Sequence, residues 1–217
     1  MPKVSVITPT IRTRGLEILE KCLREQTFQD FEWLIEPNVH KSQPDLNAAL
    51  NRMIKRSRGE IIVFLQDFIK IPKDGIEQFV KALEKEKAFY TAPVNKTEDE
   101  TFTLPVMEYD WRHFRKDKQR LDWKDWEIDW AATTKELLYD VGGFDEELDK
   151  HWGFDNVNIG LRLDIKGHKI YNLDENEALG YLHNIGIKHP FIGKRNPIHH
   201  NMRLDEIRRG LVVDFLK

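Results

Sequence analysis

The chain has 217 residues, 40% of them hydrophobic, and a formal net charge of -3. That is enough apolar content for a sizeable core in one domain spanning 1–217, and a near-neutral balance excludes a global field that would draw it to nucleic acid or an anionic membrane. The single cysteine, Cys22, excludes an intrachain disulfide and a cysteine-type metal cluster. With no apolar run approaching a membrane span and no leader-like start in MPKVSVITPT, the expectation is a soluble, cytoplasmic protein.

Val4 to Ile7 is a β-branched run ended by Thr8, Pro9 and Thr10, the pattern of a buried parallel strand opening into a loop. Leu16, Leu19 and Leu23 recur at helical spacing, and FEWLIEP from Phe31 to Pro37 reads as a second strand. Leu46, Ala49, Leu50 and Met53 form the face of a second helix, which Gly59 stops before the strand IIVFL from Ile61 to Leu65. Ile76, Phe79, Val80 and Leu83 mark a third helix, followed by an expected strand FYTAPV from Phe89 to Val94. This alternation predicts an open α/β sheet, and such sheets bind ligands beyond the carboxyl ends of their strands. The site is therefore expected at Thr8 to Arg12, Glu36 to Asn38 and Gln66 to Lys70.

From Asn95 to Trp130 the pattern breaks down, and Trp111, Trp123, Trp126 and Trp130 fall among charged residues. They read either as a loop-rich layer packed on the sheet or as an acceptor-binding surface. The basic run from Arg112 to Arg120 reads as a solvated face. Val157, Ile159, Leu161, Leu163 and Ile165 alternate as a strand would, yet Gly167 is placed as a helix stop, and a helix is the expectation. A strand at Lys169 to Asn172 follows. The Gly-, Pro- and His-rich segment 184–200 reads as a mobile lid, and 201–217, with Leu204, Ile207, Leu211 and Phe215 at helical spacing, as a C-terminal helix.

Ahead of the expected helix, Trp152, Gly153 and Asp155 bring together an aromatic face, a bare backbone and a carboxylate. An indole packs on the apolar face of a pyranose, glycine admits close approach, and a carboxylate can take a hydroxyl proton. The same residues also suit a Gly-terminated helix followed by one capped by Asp155.

The order GGFDE, then HWGFDN, then a hydrophobic run with Arg162 resembles the closing motif of inverting family 2 glycosyltransferases of the GT-A fold. The similarity runs from Val4 to about His183. It implies an α/β domain with a Rossmann-like mixed sheet flanked by helices. VSVITPTIR resembles the opening strand and base-binding loop, which implies Thr8, Pro9, Thr10 and Arg12 as donor-binding residues. Glu36 takes the place of an aspartate that bonds the nucleotide base, and Asn51 and Gly59 match the family's Asn and Gly-Glu elements, which implies Glu36 and Asn51 as further donor-binding residues. LQDFIKIP lies where the family has its Asp-x-Asp motif, with Gln66 and Phe68 at the usual acids and Asp67 between them. The resemblance implies a divalent cation, Mn2+ or Mg2+, on Asp67 and the late histidine His183, with Gln66 and Asp67 facing the donor.

In the closing motif the second acid is Asn156, which leaves Asp155 as the implied general base, or else as the group that holds the acceptor while the base lies elsewhere. Trp152, Gly153 and Asn156 are implied on the acceptor side, and Asp145 more plainly caps the preceding turn. The implied activity is inverting transfer of a sugar from a nucleotide-sugar, a UDP-sugar first among them, to a hydroxyl acceptor. Loss of acids in both motifs keeps open a degenerate domain that binds nucleotide or glycan without turnover. A nucleotidyltransferase is disfavoured because no Gly-rich phosphate loop follows the first strand, and a nucleic-acid acceptor through Arg112 to Lys124 stays open.

Overall fold

In the computed structural model, residues 1–10, 14–37, 45–98, 101–102, 105–114, 120–150, 155–181, 197–211 and 213–217 are described. The chain begins β1 (Val4–Thr10), α1 (Arg14–Arg24), β2 (Phe31–Pro37), α2 (Leu46–Arg56) and β3 (Ile61–Leu65). β4 (Ile69–Lys70), α3 (Gly75–Lys85), β5 (Phe89–Thr91) and β6 (Val94–Thr97) follow, then β7 (Trp130–Thr134) and α4 (Lys135–Asp140). The chain closes with α5 (Asp155–Ile165), β8 (Ile170–Asn172), β9 (Ala178–Tyr181) and α6 (Pro197–Arg208).

The main sheet has six strands in the order β2-β1-β3-β7-β5-β8. β1 pairs in parallel with both β2 and β3, whereas β7 is antiparallel to both β3 and β5. The sheet is therefore mixed, as expected. Because β7 runs backwards with Trp130 opposite Leu65, the residues that enter β7 lie at the same edge as those that leave β3. A second sheet, β4-β9-β6, stands beside it.

Alternation within each strand builds a core on both faces. Val4, Val6, Val63, Leu65 and Trp130 pack with Phe79 of α3 on one side. Ile7, Ile62 and Phe64 pack with Met53 of α2, Phe144 and Ile159 of α5 on the other. Two-sided burial is why these strands read as continuous apolar runs.

Three expectations change in detail. FYTAPV splits at Ala92 and Pro93 into β5 and β6, which belong to different sheets, since proline offers no N–H to a ladder. Trp126 and Trp130 are core residues with no exposed surface, whereas Trp111 is 43% exposed. The last helix ends at Arg208, so Leu211 stays exposed and Leu216, in the irregular tail, is the residue buried. Burial of Leu216 against the turn at Gly143 captures the tail, which helical spacing alone does not foresee. The alternating segment 157–165 is helical, within α5.

Candidate functional site at the carboxyl edge of the sheet

The first turns of α1, α2 and α5, the ends of β1 and β3 and the entry to β7 supply the residues of the candidate site. At the end of β1, Thr10 Oγ1 donates to Asp67 Oδ2 at 2.6 Å, and both residues are buried. α1 closes on them: a Cβ on Gly15 would lie 1.7 Å from the Asp67 carbonyl oxygen, so only glycine permits this approach. Thr8 Oγ1 accepts from Trp33 Nε1 at 3.0 Å, and the Gln66 N–H donates to Asp129 O at 3.0 Å. Phe68 points elsewhere, into the core against Tyr181.

At the start of α2 the local cap residue, Asp45, makes no side-chain cap bond and instead pairs with Arg52 at 3.1 Å. Asp149, distant in sequence, does the capping, taking the N–H groups of Asn47 at 2.8 Å and Ala48 at 2.9 Å. These donors favour its charged form, yet burial dominates and pushes its pKa up to about 6. Asn47 Nδ2 also reaches Asp155 Oδ1, at 2.5 Å, in the first turn of α5. Burial, with a smaller push from Asp145, raises Asp155 above the ordinary carboxylate range.

The next residue, Asn156, donates from Nδ2 to Glu127 Oε2 at 2.7 Å. Glu127 has its pKa raised to about 7, first by burial and then by Asp129, against the opposing charges of Arg112 and Lys96. Asp129 is raised by burial as well. Behind them lies a buried ion pair in which Arg112 Nε donates to Asp110 Oδ1 at 2.8 Å. Sequence reasoning passed over Asn47, Glu127, Asp129 and Asp149. The visible signal was WEIDW, where two acids alternate with large apolar residues at the entry to a strand.

Several expected site residues have structural work here. Glu36 accepts from Arg52 Nε at 2.8 Å and from Arg56 Nη2 at 3.0 Å, so α2 cations hold it. Asn51 uses its whole amide: Oδ1 takes the Phe144 N–H at 2.8 Å, and Nδ2 donates to Phe144 O and to Glu146 Oε1. This clamp sits on Gly143, whose φ of +74° and lack of a Cβ leave room for Asn51 Oδ1. Asp145 accepts the Glu147 N–H at 3.1 Å, as a turn cap should, and also pairs with Arg203 of α6 at 2.7 Å. Pro9 lies within β1, paired with Glu36. Arg12, Trp152, Gly153 and His183 lie outside the described residues, as does 184–196 of the expected lid, while 197–200 begin α6.

Among the described residues, no three His, Cys, Asp or Glu side chains converge as metal ligands. At the end of β3 the neighbours of Asp67 are Gln66 and Phe68, and one carboxylate oxygen already accepts from Thr10. That donor set does not fit a divalent cation held by protein groups alone. Nor is any helix among the described residues long and apolar enough to cross a membrane.

No family model matches the sequence, and no curated protein matches it significantly. Its structure does have matches. A mannosyltransferase from Pyrobaculum calidifontis, in complex with GDP-Man and Mn2+, superposes with a TM-score of 0.60 at 17% identity, over 85% of this chain and 58% of its own. S. aureus TarS, in complex with UDP-GlcNAc, gives 0.59 at 14% identity over 84% and 59%. GalNAc-T7, with UDP, GalNAc and Mn2+, gives 0.69 at 12% identity over 94% and 48%. The chain thus spans roughly half to three-fifths of these proteins' lengths. The mixed sheet, the reversed β7 and these superpositions agree that the chain has the GT-A fold of glycosyltransferases.

Proposed function

We propose that this chain is a glycosyltransferase domain that moves a sugar from a nucleotide-sugar, a UDP-sugar first among them, to a hydroxyl acceptor with inversion. The observation that carries this reading is the pairing of the end of β3 with the entry to β7 at the carboxyl edge. There the Gln66 N–H donates to Asp129 O, two residues from Glu127, which accepts from Asn156 in the first turn of α5. Donor at the ends of β1 and β3 and acceptor at the start of α5 would then face each other across that edge. In-line transfer needs a carboxylate beside the acceptor hydroxyl; burial raises Asp155 above the ordinary carboxylate range and lifts Glu127 to about 7, where a base works best. The relatives in fold were captured with GDP-Man, UDP or UDP-GlcNAc, which supports a nucleotide-sugar donor.

The leaving diphosphate needs its charge compensated, and two of those relatives hold Mn2+. Here a Mn2+ or Mg2+ ion would have to take most of its ligands from the donor, given the poor donor set around Asp67.

A binding-only domain is the second reading, favoured by Phe68, which is core where the resemblance expects an acid. Thermal-shift titration with UDP-GlcNAc and GDP-Man, followed by assay of released UDP or GDP, separates the two. Ligand at a hundred times its Kd stabilises by about 2.7 kcal/mol, a rise of several degrees. A raised midpoint with turnover supports transfer, a raised midpoint without turnover supports binding only, and no shift with any donor defeats both.

A further inference from the structure

The segment 107–114 inverts the usual distribution of side chains. Asp110 and Arg112 are buried, Arg112 to 2% exposure, while Tyr109, Trp111 and Phe114 are 61%, 43% and 76% exposed. Large rings mounted outward on buried charge mark a surface with a partner. Their backing is firmly tied. Arg112 grips both oxygens of Asp110 through Nε and Nη2 and reaches Thr91 Oγ1 from Nη1. Asp110 also takes the Val94 N–H at 2.8 Å and gives its own N–H to Asn95 Oδ1 at 2.8 Å. The Lys96 N–H donates to Glu108 O at 2.8 Å, which lays the segment along β6.

The same clasp fixes where the rings are carried. β5 runs parallel to β3, since both are antiparallel to β7, and Thr91 and Phe64 each pair with Ala131. The end of β5 therefore lies on the carboxyl edge with the end of β3. Thr91 Oγ1 accepts from Arg112 and donates to Glu127 O at 2.9 Å, so a single hydroxyl joins the segment to the entry of β7. Arg112 is near enough for its charge to act on both Glu127 and Asp129. Charge also limits the occupant. Glu108 pairs with Lys96 at 3.3 Å and Asp110 with Arg112, so among the described residues this face offers rings and hydrogen-bonding groups without net charge. That suits a neutral ligand with apolar faces and many hydroxyls, which is a saccharide chain.

We propose that Tyr109, Trp111 and Phe114 form a stacking platform for an oligosaccharide acceptor, which lies along segment 107–114 while its reacting hydroxyl reaches the entry of β7. The inference rests on the glycosyl-transfer reading and names its acceptor class: a chain of several neutral sugars rather than a single sugar.

The test uses the full chain with UDP or GDP present and measures binding of cello-, malto-, chito- and mannotetraose by calorimetric titration, beside the methyl glycosides of the same sugars. At least one tetrasaccharide should bind about tenfold or more tightly than its methyl glycoside. Joint replacement Tyr109→Ala, Trp111→Ala and Phe114→Ala should weaken it by about tenfold or more. The rings are exposed, so the melting midpoint of that variant should stay within about 2 °C of wild type. Trp111→Phe should keep most of the binding that Trp111→Ala loses. No tetrasaccharide binding, or binding that the triple variant retains, overturns the platform. So does a ring-dependent dimer in sedimentation velocity, or ring-dependent flotation with phosphatidylcholine vesicles, either of which gives the face to another occupant. Release of UDP from UDP-GlcNAc and of GDP from GDP-Man is followed separately. Release with methyl glycosides but no tetrasaccharide binding overturns the platform alone. Ring-dependent tetrasaccharide binding without release from either donor overturns the transfer reading and supports the rings as a saccharide-binding face.

Discussion

The side-chain amide of Asn47 bridges two carboxylates from a different part of the chain, donating to Asp149 Oδ1 at 2.9 Å and to Asp155 Oδ1 at 2.5 Å. Through it the start of α2 is tied to the start of α5, so the fold and the candidate site share one hydrogen-bonded joint. An uncharged donor is what permits two buried acids to stand so close.

Replacing that donor by an acid should be costly and pH-dependent. Asn47→Asp sets three carboxylates together, and the melting midpoint at pH 7.5 should fall by about 6 °C, on the order of 2 kcal/mol. The deficit should shrink at pH 5, where the cluster takes up protons. A midpoint equal to wild type at both pH values would show that the joint carries no strain.

Asp155→Asn should separate binding from folding. Asparagine still caps a helix start, and it removes a carboxylate whose ionisation burial opposes, so the midpoint at pH 7.5 should hold or rise. kcat/KM for the acceptor should fall about 10- to 100-fold, the loss of a charged hydrogen bond. Unchanged acceptor kinetics would leave Asp155 with only its place at the start of α5.

Glu127 should leave a signature in the pH dependence of stability. Its native pKa of about 7 lies above its ordinary 4.5, so the folded state binds the proton more tightly, and wild type loses stability as pH rises through that window. Glu127→Gln lacks this loss. The variant should therefore gain on wild type between pH 4.5 and 7, its melting midpoint rising relative to wild type by about 7–14 °C across that range, as seen by calorimetry. A constant difference across that range would contradict the raised pKa.

Mn2+ binding should depend on the nucleotide. Electron paramagnetic resonance should find little bound Mn2+ with protein alone, because Asp67 stands between Gln66 and Phe68. Adding UDP should raise the bound fraction. Tight binding without nucleotide would require ligands beyond Asp67.

The tail should matter to stability. Leu216 is buried, and the Phe215 N–H donates to Gly142 O at 2.9 Å. Leu216→Ala should cost about 2–4 kcal/mol and lower the midpoint by about 5–10 °C in a thermal melt. A shift under 2 °C would mean the tail is dispensable.

The sequence by itself determined the elements whose two faces both demand burial. Val4 to Ile7 and Ile61 to Leu65 could be read as strands, and the helices carrying Leu19, Met53 and Phe79 followed from their apolar spacing, because such patterns repeat within one element. It also pointed to the carboxyl ends of β1 and β3, where Thr10 donates to Asp67. Only the tertiary structure decided which polar residues answer one another there. Asp149 caps a helix that begins about a hundred residues earlier, and Glu127 reaches Asn156 across 29 positions, pairings that no local spacing encodes. Nor could spacing show that Glu36 is held by Arg52 or that Asn51 is spent on Phe144. Buried polar groups must find partners, but which partner each one finds is settled by how the sheet and its helices pack.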